Sequence, residues 1–304
     1  MHLVATLCSA QPSRYLIRQV CPSPVHIWKS CNLPTTDTGS TKTNLNSEQL
    51  MITMTYKAPT KTQTGLLLLL AGLIGVASLL TVDFPTKNLP KAMLEKFPPM
   101  QLKLLMLVNP LLLLIISVVI GSLLYRKVAL FIFRGADFES GVAVKNIFSR
   151  GVLPGAIASL LIICVVMLFQ RLIPDEFSQL VDDHSMTIPA RLLYGGITEE
   201  ILMRFGLMTL FIWLLSLLFH TKAAVIYWVA IIGAALLFGA GHLPAMRLMV
   251  AHPSATLTLY IILANALAGV VFGWLYWRYG LVFAIIAHAS AHIVLLTFDL
   301  IKGY

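Results

Sequence analysis

The sequence predicts an all-α fold, a polytopic transmembrane helical bundle of about seven spans, and two observations carry the prediction. The 304 residues are 58% hydrophobic and only 12% charged, with a mean hydropathy of +0.84, far from the mix of an ordinary soluble domain. Beyond residue 64 the apolar residues gather into runs of about 20, the length that a helix needs to cross the hydrocarbon core. The runs are too long and too uniformly apolar for the alternating strands of a barrel. Helices are then the structure that satisfies every backbone N–H and C=O inside lipid.

Taken in order, residues 1–60 are rich in Ser, Thr, Pro and Asn and carry no apolar run, so they read as a disordered polar leader. The leader has no secretory n-region, h-region or cleavage site, and Met51 and Met54 stand just before the first apolar run; it reads either as a soluble tail or as an upstream over-reading of the true start. Residues 61–150 are assigned the first transmembrane helices, with spans at 65–82 and 104–125. A third span, 151–170, is bracketed by Arg150 and Arg171. From 188 to 219 the apolar run is interrupted by Arg191, Glu199, Glu200 and Arg204, as in one long helix with a polar band. Spans at 223–246, 256–277 and 281–298 complete the set, and residues 151–300 form the region that carries polar chemistry.

The formal charge of +9 does not point to nucleic acid, because Lys and Arg stand singly between apolar runs rather than on one basic face. They read as topology determinants. Five basic residues in the loop 126–150 place it in the cytoplasm with the N-terminus, and Asp175, Glu176, Asp182 and Asp183 place the loop 171–191 outside; Lys87, Lys91, Lys96 and Lys103 run against this assignment. The expected location is a bacterial cytoplasmic (inner) membrane, multi-pass. Cys8, Cys21, Cys31 and Cys164 show no metal-binding or disulfide spacing, and no internal repeat suggests an inverted-repeat transporter.

The informative residues are polar ones at membrane depth. Between Ser185 and Leu300 there are only eight charged residues, yet Glu199 and Glu200 are adjacent inside an apolar segment. A carboxylate there costs several kcal/mol unless paired, protonated or hydrated. On a helix Glu200 and Arg204 share a face as an i, i+4 pair, whereas Glu199 is rotated by about 100°. Glu200 therefore reads as the partner of Arg204, leaving Glu199 free to act as a general base on water.

His288 and His292 form a second i, i+4 pair, and His242 closes the string Phe238-Gly-Ala-Gly-His242. Two imidazoles on one helical face match the ligand geometry of zinc proteases, in which the metal acidifies a water and polarises a carbonyl. A lone histidine in an apolar helix is ordinarily a packing or hydrogen-bonding residue, which is all that His242 alone carries. His220 and His252 fall at span ends and read as interfacial. Asn265 reads as an interhelical hydrogen-bonder, and the glycines before His242 as a place where helices approach closely.

These residues together resemble the CPBP (CAAX protease and bacteriocin-processing) family of intramembrane metalloproteases. Glu199-Glu200-xxx-Arg204 looks like its EExxxR motif, Phe238-xxx-His242 like FxxxH, and His288-xxx-His292 like the third motif HxxxN, in the same order over about residues 150–300. The resemblance implies a catalytic set of Glu199, His242, His288 and His292, with Glu200, Arg204 and Phe238 supporting it. It also implies a divalent metal, zinc, with His242, His288 and His292 as ligands or as stabilisers of the oxyanion. The departure is His292, where the family commonly has Asn, which leaves open whether this group coordinates a metal or orients substrate. The activity implied is hydrolysis of membrane-embedded or lipid-linked peptides in the bilayer. A non-catalytic immunity or scaffold protein on the same fold, and an ion or proton transporter, are the alternatives.

Overall fold

The computed structural model describes residues 59–83, 89–182 and 186–302. Apart from Pro59 and Thr60, the leader expected over 1–60 lies outside the described residues, and so do Cys8, Cys21 and Cys31. Seven helical stretches are long and apolar enough to cross a membrane: Lys61–Thr81, Pro99–Leu124, Ala143–Leu172, Ala190–Phe219, Ala224–Met249, Ala255–Tyr279 and Leu281–Lys302. No strand occurs among the described residues. The chain is an integral multi-pass membrane protein with an all-α bundle, and each expected span is present with its ends shifted by a few residues.

The first helix, α1 (Lys61–Ser78), starts at a capping box in which Thr60 accepts from the Gln63 backbone and Gln63 reaches back to the Thr60 N–H. A short α2 (Lys91–Lys96) precedes α3 (Pro99–Leu124), whose Pro99 lies in the first turn, where a missing N–H costs nothing; a second proline, Pro110, lies inside the helix. The third span joins α4 (Ala143–Ile147), a π-helical turn and α5 (Leu153–Leu172). Next comes α6 (Pro174–Asp182), and its Glu176 accepts from the Ser254 N–H at 2.8 Å and the Ser254 hydroxyl at 2.6 Å.

The fourth span departs from the single α-helix expected there. It runs as two π-helical segments, Ala190–Glu199 and Ile201–Met208, before continuing as α7 (Thr209–Phe219). Such i→i+5 geometry is uncommon and concentrates at functional sites. The fifth span is also broken: α8 (Ala224–Gly241) ends at His242, and α9 (Leu243–Met249) restarts with Pro244 in its first turn. The last two spans are α10 (Ala255–Tyr279), N-capped by Ser254, and α11 (Leu281–Lys302). Free N–H groups at the start of α11 are satisfied by the loop after α3, with Leu281 donating to Phe131 at 3.3 Å and Val282 to Ile132 at 3.1 Å.

Helix α10 is central, packing on α5, α8 and α11, while the two π-helical segments pack on α1, α3 and α11. The α8–α10 crossing is close because of small residues: a Cβ on Gly239 would stand 2.5 Å from the Ile262 carbonyl. Gly241 meets nothing, so of the glycines before His242 it is Gly239 that serves the close approach. His220 and His252 are exposed at span ends as expected, and Cys164 is exposed on α5.

Candidate active site

The adjacent glutamates occupy two different environments. Glu200 is fully buried, with its Oε2 3.2 Å from Arg204 Nε; the contact is an ion pair without hydrogen-bond alignment. Its Oε1 lies 2.8 Å from His288 Nδ1. Arg204, also buried, donates to the Gly269 carbonyl at 3.1 Å and lies over the rings of Phe238 and Phe272. The pair is thus surrounded by an opposite charge, an imidazole N–H, a carbonyl and aromatic faces, as low-dielectric surroundings demand. The wider π turn does not part the pair, because residues four apart still lie on nearly the same face.

Glu199 keeps 16% of its side chain exposed against none for Glu200, and its Oε2 lies 3.9 Å from His288 Nε2. The expected division between the two carboxylates therefore has a physical basis: one is locked into a buried network, and the other stands at its accessible edge. The preceding Thr198 is buried and donates to the Gly72 carbonyl at 2.9 Å, tying the π-helical segment to α1. The sequence carried no signal for that contact.

The histidines gather on the same network. His288 stacks on Phe272 at 4.6 Å and on His292 at 4.8 Å, the latter pair inclined by only 19°. Phe238 bridges to the break in the fifth span, its ring 6.2 Å from His288 and 4.8 Å from His242. His242 Nδ1 is held by the Phe238 carbonyl at 2.9 Å. His292 Nε2 is buried without a hydrogen-bond partner among the described residues, and it lies against Gly195, where a Cβ would come within 2.5 Å. Every expected site residue belongs to this cluster. Phe272 and the Gly269 carbonyl were missed, because an aromatic and a glycine in an apolar span look like ordinary packing.

The expected metal finds no ligand set in this arrangement. Among the described residues no three His, Cys, Asp or Glu side chains come together to hold an ion. An imidazole binds a metal in its ring plane, and the ring planes of His288 and His292 are stacked within 19° of parallel. His288 Nδ1 and His242 Nδ1 are held by a carboxylate and a backbone carbonyl, which leaves Nε2 of each ring as the lone-pair nitrogen. Asn265, expected to bond between helices, instead donates to Ile261 of its own helix at 2.8 Å. The surface hollows beside Phe97 and Lys103 contain none of these residues.

Compared with known families, residues 184–294 match the model of the type II CAAX prenyl endopeptidase Rce1-like family. This segment is similar to that family. It contains all of Glu199, Glu200, Arg204, Phe238, His242, His288 and His292, and the first three spans lie before it. No curated protein and no solved structure matches the chain. The matched segment therefore coincides with the polar cluster.

Proposed function

We propose that the chain is an intramembrane endopeptidase that hydrolyses peptide bonds in membrane-embedded or lipid-linked substrates, with Glu199 as the base that activates water. The observation that carries this reading is the accessible Glu199 carboxylate 3.9 Å from His288 Nε2, beside a second glutamate fully engaged in holding that histidine. As the partner of Arg204, the Glu200 carboxylate accepts hydrogen bonds, so His288 Nδ1 carries the proton and Nε2 is left as an acceptor. Two acceptors 3.9 Å apart are too distant to bond to each other. They are spaced for a water that donates to both.

In the proposed reaction Glu199 takes one proton from that water as its oxygen attacks the substrate carbonyl, then delivers the proton to the leaving amine. The partnerless Nε2 of His292 is assigned to the oxyanion, a group for which a well-placed donor is worth about 10²–10³ in rate, while His242, whose Nδ1 donates to the Phe238 carbonyl, presents its Nε2 as an acceptor that orients the attacking water. Gly195 leaves space for the His292 ring. The family description supports a CAAX-type substrate, which suggests an assay: purified protein in liposomes with a fluorescence-quenched peptide bearing a farnesylated cysteine four residues from its C-terminus. Release of the three-residue product, identified by mass, is expected. Equal cleavage of the unprenylated peptide would remove the prenyl group from the proposal, and no cleavage of either would contradict the endopeptidase reading. Chelators are expected to leave turnover unchanged; activity lost to a chelator and restored by zinc would add a metal step.

A further inference from the structure

The proposed reaction leaves Asn265, in the middle of α10, unused. Its Nδ2 donates to the Ile261 carbonyl, and since only the NH2 group of an amide donates, this bond fixes the orientation of the group. The acceptor Oδ1 and the second Nδ2 proton remain, and neither has a partner among the described residues. Asn265 is half-buried between the buried Ala264 and Ala266.

Helix register places that amide next to the site. An α-helix turns about 100° and rises about 1.5 Å per residue, so Asn265 and Phe272, seven apart, point within about 20° of each other and are separated by about 10 Å along the axis. Phe272 stacks on His288 at 4.6 Å. Helix α11 follows α10 after the single residue Gly280 and runs back along it. His292, four residues beyond His288, is therefore displaced in the same direction by about 6 Å. Asn265 lies on the stripe of α10 that faces the site, about one turn beyond His292.

We propose that Asn265 is a substrate-positioning residue that binds the peptide backbone beside the scissile bond. The exposed edge of its amide offers one acceptor and one donor, the complement of a backbone N–H and C=O. An extended peptide advances about 3.3 Å per residue, so a one-turn offset addresses the backbone one or two residues from the bond under attack. This inference rests on the endopeptidase reading above.

The test uses the same farnesylated peptide in liposomes, together with analogues in which each backbone N–H within three residues of the scissile bond is replaced in turn by an ester oxygen. With the wild-type protein one analogue is expected to lose about tenfold in kcat/KM, the scale of one hydrogen bond. Asn265→Ala should lose about tenfold to hundredfold on the parent peptide, mainly through KM, and should treat that ester analogue and its parent alike. Asn265→Ser, read the same way, guards against a variant that fails to fold, and a purely structural role would leave the ester effect intact. Wild-type kcat/KM in both variants, or the same ester penalty in all three proteins, overturns the inference. Failure of the endopeptidase reading looks different: the wild type does not cleave, or Glu199→Gln cleaves as well as it.

Discussion

At the scale of single residues, Glu200 and Glu199 illustrate how neighbours in sequence acquire opposite duties. Removing one partner of a buried ion pair leaves an uncompensated charge and costs about 3–5 kcal/mol. Glu200→Gln should therefore lower the thermal transition of the detergent-purified protein markedly, because Arg204, only 2% exposed, loses its counter-charge. Glu199→Gln should leave that transition nearly unchanged, and an equal drop in both variants would contradict the division. His292 gives a second prediction. His292→Asn keeps a hydrogen-bonding side chain and should retain turnover within about tenfold, whereas His292→Ala should lose about 10² or more, read from kcat on the farnesylated peptide. The pairing of Glu200 with Arg204 was legible because helical spacing alone brings residues four apart together. The Glu200–His288 contact was not legible, since it joins two spans 88 residues apart, and spacing within a helix says nothing about partners across one.

At the scale of elements, the spans were legible from apolar run length, but their internal breaks were not. Nothing in Ala190–Met208 marks it as π-helical: the segment has no proline, and its glycines at 195, 196 and 206 read as small packing residues. Gly195 carries a specific duty, because a Cβ there would stand 2.5 Å from His292 Nε2. Alanine favours a helix over glycine by about 1 kcal/mol, which offsets part of the cost of moving one ring. Gly195→Ala should thus change the thermal transition little while lowering kcat at least tenfold. Unchanged kcat would show that the position of His292 does not matter to the reaction. The break at His242 was only half legible: Pro244 in the first turn of α9 is a sequence signal for a restart, yet the motif reading treated 223–246 as one span.

At the scale of the whole molecule, seven spans alternate in direction, so the loop 126–142, residues 220–223 and Gly280 share one side, and α6 and α9 lie on the other. The basic residues of the loop after α3 propose the first side as cytoplasmic. A cysteine substituted for Thr221 should then react with an impermeant maleimide in inverted vesicles and not in intact cells; the reverse pattern would turn the protein over. The three-motif resemblance is legible in the sequence because Glu and His are expensive in lipid and stand out there. Spacing on α11 fixes which face the imidazoles share and not how their rings are turned, so the same pattern does not by itself define a metal ligand set. The central claim is that the Glu199 carboxylate activates the attacking water, and the most direct measurement compares wild type and Glu199→Gln in liposomes with the farnesylated peptide. The predicted result is loss of product release by at least 10²-fold with the thermal transition preserved. Product release by the folded variant at the wild-type rate would contradict the claim.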